Sequence, residues 1–366
     1  MRKRTGGQAD SKTGIRYDVI GLMSGTSLDG LDIAFCRFEK TEDGWKYKIL
    51  VAETIPYSGE WKQRLGNLEK TTALEFVKAD TEYGHLLGHL TRSFIEKHSI
   101  HPDFIASHGQ TIFHQPDKKL TTQIGKGSAI AAETGLPVIC DFRSLDVACG
   151  GQGAPLVPIG DRDLFAGYDF CLNLGGFANI SFDHDDQRIA FDICPVNMVL
   201  NTLSLKAGKE FDQGGALAST GKADNTLLGK LNQLPYYFQP PPKSLGKEWV
   251  VSHIIPLLDH SDLSIPDLLR TYCEHVAIQV GRCTGENPLN KILVTGGGAR
   301  NSFLMDRLRA HTKPQIVLPD LLTIDFKEAL IFAFLGVLRW RNEVNCLKSV
   351  TGATSDVSGG NICGGL

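Results

Sequence analysis

Gly21-Leu22-Met23-Ser24-Gly25-Thr26-Ser27-Leu28-Asp29-Gly30-Leu31-Asp32 joins two apolar, β-rich runs. Tyr17-Asp18-Val19-Ile20 leads in, and Ile33-Ala34-Phe35-Cys36-Arg37-Phe38 leads out. Small, hydroxylated and glycine-rich residues between two strands read as the tight turn of a β-hairpin. Backbone N–H groups and hydroxyls gathered in such a turn suit an anion, and hence the phosphates of a nucleotide. An ordinary hairpin turn is the plain alternative. A Walker A loop is excluded, because no Gly-Lys-Ser/Thr opens a helix here. A dinucleotide fingerprint fails too: it runs strand, glycine turn, helix, whereas Leu31 to Phe38 continues as strand.

Downstream, Lys46 to Glu53 reads as a third strand, and helical patterns cover Gly59 to Leu68 and Ala73 to His98. A short strand, Phe104-Ile105-Ala106-Ser107, ends at His108-Gly109-Gln110-Thr111. Then come Thr122-Gln123-Ile124-Gly125, a helix through Ala129 and Thr134, and a strand at Pro137 to Cys140. Three strands followed by alternating helix and strand describe a mixed sheet covered by helices. The same order then restarts. Asp169 to Asn173 is a strand running into Leu174-Gly175-Gly176-Phe177, Ala178 to Phe182 leads out, and Arg188 to Phe191 is a third strand. Lys291 to Thr295 runs into Gly296-Gly297-Gly298-Ala299, with a helix starting near Ser302. The two halves agree in pattern, not in identity. The expected molecule is α/β, with one glycine hairpin in each of two domains holding phosphates across a cleft. The triple glycine lets the backbone lie flat against a base or ribose.

The chain of 366 residues is long enough for two cores. Its 42% hydrophobic and 22% charged residues fit a soluble globular protein, and a formal net charge of −3 argues against a general nucleic-acid binder. Arg2-Lys3-Arg4 precedes no apolar stretch of signal-peptide length, so residues 1–14 read as a disordered tail. Ala329 to Leu338 is too short to span a bilayer, so no membrane partner is expected. Nine cysteines without a Cys-x-x-Cys pair suggest reduced thiols in the cytoplasm.

These loops, in this order, resemble the sugar kinase, actin and heat-shock ATPase superfamily. More narrowly, the chain resembles the anhydro-N-acetylmuramic acid kinase family. The resemblance is carried by Gly21–Asp32, Ser107-His108-Gly109-Gln110-Thr111, Asp141-Phe142-Arg143 through Asp146-Val147, and Gly150-Gly151-Gln152-Gly153-Ala154-Pro155-Leu156-Val157-Pro158. Asn173-Leu174-Gly175-Gly176, Pro242-Lys243-Ser244 with Gly246, and Gly296-Gly297-Gly298-Ala299 complete it, spanning residues 17 to about 340. It implies two ribonuclease H-like domains. The N-terminal one covers 15–145 and is completed by about 327–366; the C-terminal one covers 146–326. It further implies ATP, Mg²⁺, an amino-sugar substrate and a homodimer. One departure stands out. Where the family has Phe-Asp-Thr/Cys-Gly-Pro-Gly-Asn, this chain has Phe191-Asp192-Ile193-Cys194-Pro195-Val196-Asn197. Were those two positions at φ > 0, Cys194 and Val196 would be strained, so either the loop takes another path or the site is altered; a kinase for a different sugar and a nucleotide-binding homologue without turnover are the alternatives.

Asp192, just past a strand, matches the family's catalytic base. The resemblance implies that it activates water to attack the anomeric carbon while O6 takes the γ-phosphate of ATP. A strand-end Asp that caps a turn is the alternative. The nucleotide is expected at Ser24, Gly25, Thr26, Ser27, Leu28, Asp29, Gly30 and Leu31, at Gly175 and Gly176, and at Gly296, Gly297 and Gly298. Carboxylates near a triphosphate usually hold Mg²⁺ through water, and Asp29 is favoured over Asp32 for that task. Arg143 can fork a lactyl carboxylate. With Asp146, Gln152, His108 and Glu328 it forms the expected substrate set; an interdomain salt bridge and a dipole-stabilising helix-start Glu are the plain alternatives for Arg143–Asp146 and Glu328. His85 and His89, four apart, lack the adjacent Glu of a metalloprotease motif. Cys194 reads as a buried thiol, not a nucleophile.

Overall fold

The computed structural model describes residues 15–25 and 28–364. Thr26, Ser27 and the expected tail at 1–14 lie outside the described residues. The chain divides into two compact units, one running to Leu164 and resuming at Phe326, the other covering Phe165–Asp325.

In the first unit β1 (Ile15–Ser24), β2 (Gly30–Thr41) and β3 (Gly44–Pro56) form an antiparallel meander. β4 (Phe104–Ser107) pairs parallel with β1; β5 (Gln110–Gln115) and β6 (Leu120–Ile124) make a separate hairpin; β7 (Val138–Cys140) pairs parallel with β4. The second unit repeats the plan. β8 (Phe170–Leu174), β9 (Phe177–His184) and β10 (Gln187–Pro195) form its meander, and β11 (Lys291–Thr295) and β12 (Gln315–Val317) add parallel strands. Its sheet order is β10-β9-β8-β11-β12; the first is β13-β7-β4-β1-β2-β3, where β13 (Asn361–Cys363) is an antiparallel edge. Each sheet is thus ordered third-second-first-fourth-fifth strand, the ribonuclease H-like arrangement anticipated above.

The strand alternation sets the layers. Ile20 and Leu22 of β1 join a core with Tyr83, Leu87 and Phe94 from the helix Ala73–His98. The opposite face carries Gly21, where a Cβ would fall 1.9 Å from the Ala329 carbonyl oxygen. The helix Leu321–Trp340 packs on that face, with Phe334 against Phe38 at 5.5 Å between ring centroids. The second unit has its own core, built from β8–β11 and the helix Ile265–Thr284, whose start is capped by the Ser264 hydroxyl accepting from the Asp267 N–H.

Residues 146–164, expected in the second domain, belong to the first unit. The cause is a set of contacts to the chain's last segment. The Asp146 carboxylate accepts from the Gly153 N–H at 2.7 Å, the Thr351 hydroxyl at 2.8 Å and the Cys346 thiol at 3.0 Å. A buried ion pair joins Lys327 to Asp161 at 2.7 Å.

Candidate functional site

The first glycine turn is held from below. Ser24 faces Leu31 across the β1/β2 pair, and Leu28 adopts φ 57° with its N–H donating to the Gly25 carbonyl at 3.3 Å. Gly30 is required by packing, since a Cβ there would stand 2.6 Å from the Ile55 carbonyl oxygen. Two residues expected at the nucleotide, Ser24 and Leu31, turn their side chains inward. The Ser24 hydroxyl is buried: it donates to the Gln110 side-chain oxygen and accepts from the Tyr57 and Tyr83 hydroxyls at 2.7 and 2.9 Å. Leu31 turns its side chain into the core. Both support the turn from inside. Asp29 is exposed beside Gly30, whose N–H donates to its Oδ1 at 3.1 Å, and Asp32 accepts from the Thr54 hydroxyl at 2.5 Å.

A second group in this unit centres on Arg143. Its Nε and Nη2 donate to His108 Nε2 at 3.2 and 2.9 Å, and Nη1 donates to the Gly153 carbonyl at 2.6 Å. A guanidinium has five N–H groups, so one on each terminal nitrogen makes no bond among the described residues. Burial, followed by the nearby guanidinium, presses the His108 imidazole down to about 3. His108 is therefore neutral and acts as an acceptor that aims Arg143. Desolvation lowers Arg143 itself to about 10, against the opposing pull of Glu328. The helix carrying Glu328 is interrupted at Phe326 (φ −113°, ψ 17°), so Glu328 lies in the first turn beyond that break. Loss of hydration pushes its carboxyl up; Arg143 and Lys327 oppose the rise and Asp32 adds to it. Asp146 and Gln152 of the expected substrate set stand in different surroundings. Asp146 is fully buried with its oxygens spent on the loop 146–153 and the 346–351 segment, and it braces that loop. Gln152 contributes its N–H to the Thr351 carbonyl at 2.8 Å while its side chain is exposed.

In the second unit, Asp192 stands where β10 is distorted. The β9/β10 register shifts between Asp192 and Cys194, leaving Ile193 as a bulge. Such a bulge re-aims neighbouring side chains. Asp192 Oδ2 accepts from the Leu245 N–H at 2.9 Å, and Oδ1 makes no bond among the described residues. Burial pushes its carboxyl up, and the Leu245 N–H offsets part of the rise. The strain anticipated at Cys194 and Val196 is absent. Neither has positive φ; Val196 sits at φ −127°, and both side chains are buried in the core. The path replaces glycine flexibility with packed side chains.

The glycine loops meet behind this strand. The Gly175 and Gly176 carbonyls accept from the N–H groups of Val196, Asn197 and Met198, which open the helix Asn197–Lys206. The Gly175 N–H turns back to the Phe177 carbonyl at 3.1 Å, while that of Gly176 makes no bond among the described residues. Gly296 adopts φ 82°, and Gly297 is exposed. Gly298 is buried, with room for a Cβ blocked by that of Leu174 at 2.7 Å. Of the triple glycine, the middle residue is exposed, the first half-buried and the last buried.

Sequence reading missed the residues that hold these groups: Tyr57, Tyr83 and Gln110 around Ser24, and Tyr236 and Leu245 around Asp192. The Pro242-Lys243-Ser244 motif was the one available signal for the latter. His85 and His89 share Glu133, at 2.8 and 3.3 Å. Among the described residues no three His, Cys, Asp or Glu side chains form a metal-holding group, and no helix is long and apolar enough to cross a membrane.

Residues 17–364 match the family model described as anhydro-N-acetylmuramic acid kinase. A protein of that name from Vibrio parahaemolyticus is 35% identical over 359 residues, covering 92% of this chain and 95% of its own. Another, from Shewanella amazonensis, is 36% identical over 364 residues, covering 91% and 95%. Among solved structures, the activator of the 2-hydroxyisocaproyl-CoA dehydratase from Clostridium difficile, with bound ADPNP, aligns at a TM-score of 0.43 and 14% identity. That alignment covers 88% of this chain and 97% of the activator.

Proposed function

Because the chain belongs to the anhydro-N-acetylmuramic acid kinase family, we propose that it converts 1,6-anhydro-N-acetylmuramic acid, ATP and water to N-acetylmuramic acid 6-phosphate and ADP, in peptidoglycan recycling. In the hydrolytic half, Asp192 takes a proton from water as the water oxygen bonds to the anomeric carbon. The bond from that carbon to O6 breaks, and O6 bonds to the γ-phosphorus as ADP leaves. Proton acceptance by a positioned carboxylate suits this step, and a raised pKa strengthens the base. The open Oδ1 of Asp192, beside an Oδ2 already tied down, is the observation that carries this reading.

Phosphoryl transfer rests on positioning and charge neutralisation. The first glycine turn and the Gly176 and Gly297 backbone would hold the nucleotide. Asp29 and Asp32 supply hard oxygen donors of the kind Mg²⁺ prefers, and they would hold the ion with water and phosphate oxygens. When bound, Mg²⁺ neutralises charge on the triphosphate. The two uncommitted N–H groups of Arg143 suit the lactyl carboxylate of the sugar, with His108 fixing the plane of the guanidinium.

The test is incubation with ATP, Mg²⁺ and the anhydro sugar in ¹⁸O-water, read by mass spectrometry. The expected product is the 6-phosphate with one ¹⁸O at the anomeric position. Unlabelled product, or ADP formed only with another sugar, overturns the proposal. Asp192→Asn is expected to lower kcat by about 10²-fold or more; full activity in that variant removes Asp192 as the base.

A further inference from the structure

The chain segment 236–246 takes no part in the chemistry above, yet it surrounds Asp192. The Tyr236 hydroxyl donates to the Asp192 main-chain carbonyl at 2.6 Å. The Asp192 N–H donates to the Lys243 carbonyl at 3.2 Å, and the Leu245 N–H donates to Asp192 Oδ2 at 2.9 Å. At the β10 bulge, where the ladder to β9 slips, one segment therefore supplies partners for the N–H, the C=O and one carboxylate oxygen of a single residue.

We propose that Tyr236 and the Pro242-Lys243-Ser244-Leu245-Gly246 segment form a clamp that aims Asp192, fixing Oδ2 so that Oδ1 alone receives the proton. This inference rests on Asp192 being the base. Tyr236 and Leu245 are positioning residues in it. Lys243 anchors the clamp and does not neutralise the carboxylate. Its ammonium donates to the Tyr236 carbonyl at 3.3 Å and lies over the rings of Tyr236 and Phe191, at 4.8 and 5.5 Å from their centroids. Trp249 packs on Tyr236 at 5.3 Å between ring centroids and helps to keep the phenol in place. The titratable groups around Asp192 in this unit are Tyr236, Lys243, Cys194 and Cys283. Burial pushes the phenol and both thiols up, so they stay neutral where the enzyme works. Burial lowers the Lys243 ammonium and raises the Asp192 carboxyl, which is the carboxyl of this cluster.

Two variants separate the parts of the clamp. Leu245→Pro deletes the N–H on Oδ2, and Tyr236→Phe deletes the hydroxyl while keeping the ring. Protein labelled with [γ-¹³C]Asp gives the Asp192 titration by NMR, its signal identified as the one missing from Asp192→Asn. The base works when ionised, and the Leu245 N–H favours the ionised form. Its loss is expected to move both the Asp192 titration and the acidic limb of kcat/KM to higher pH by about one pH unit. Tyr236→Phe is expected to lower kcat about two- to tenfold with KM for ATP unchanged. Wild-type kcat and an unmoved titration in Tyr236→Phe and Leu245→Pro overturn the clamp. Should Leu245→Pro fail to fold, an unchanged kcat in Tyr236→Phe does so alone. A titration that moves while Asp192→Asn keeps full activity leaves the clamp standing and overturns the role of Asp192 as base.

Discussion

At Cys194 and Val196 the chain differs from its family by two side chains where two hydrogens are usual, and the backbone accommodates them. Because φ stays negative and both side chains are buried, each now fills core volume. Restoring the family residue is therefore expected to harm the protein. Cys194→Gly leaves a void and frees the unfolded backbone, costing about 1–3 kcal/mol in urea unfolding, with no gain in kcat. A variant of wild-type stability or higher activity would contradict this. His108 makes the same point about reading residues singly. Within the Ser107-His108-Gly109-Gln110 run it is expected at the substrate, but an imidazole pressed down to about 3 carries no second proton, and hence no charge, to offer a carboxylate at neutral pH. Its lone pair serves Arg143 instead.

Elements explain why some residues were readable in sequence and others were not. The strand–turn–strand units and the long helix Ala73–His98 were visible because apolar periodicity is a local property. β12 and β13, three residues each, take their strand character from pairing, and no local pattern announces them. The fate of Ser24 was hidden for a related reason: its partners Tyr57, Tyr83 and Gln110 are 33, 59 and 86 residues away along the chain. Gly21 shows how a glycine can be misjudged by its neighbourhood. It lies in a motif read for loop flexibility, yet it is a strand residue whose missing side chain lets the helix Leu321–Trp340 close on β1. Gly21→Ala places a Cβ 1.9 Å from the Ala329 oxygen. The helix must shift, and stability is expected to fall by about 1–3 kcal/mol; an unchanged urea midpoint would show that the contact is slack.

On the scale of the whole molecule, the duplicated strand order was readable from pattern, while the boundary after residue 145 was not. The groups that tie Asp146 into the first unit, Cys346 and Thr351, are 200 and 205 residues further on. The second unit is continuous and the first is not. A fragment of residues 165–325, with a complete sheet and its own core, is expected to fold alone and melt cooperatively by circular dichroism. A fragment of 15–164 lacks β13 and the helix that covers β1, and is expected to remain unfolded or to aggregate. The opposite pair of outcomes would sink the division. The discontinuity also has a consequence for biosynthesis. Translation at about 5–20 residues per second needs roughly 10–40 s for the roughly 200 residues between Leu164 and Cys363 to emerge. The Gly21 face of β1 has no cover until the helix Leu321–Trp340 has emerged, and the β7 edge has no β13 until the end of that interval, the state in which sheets recruit unwanted strands. The first unit is thus completed only after the second has been made, and that wait is when its sheet is most open to mispairing.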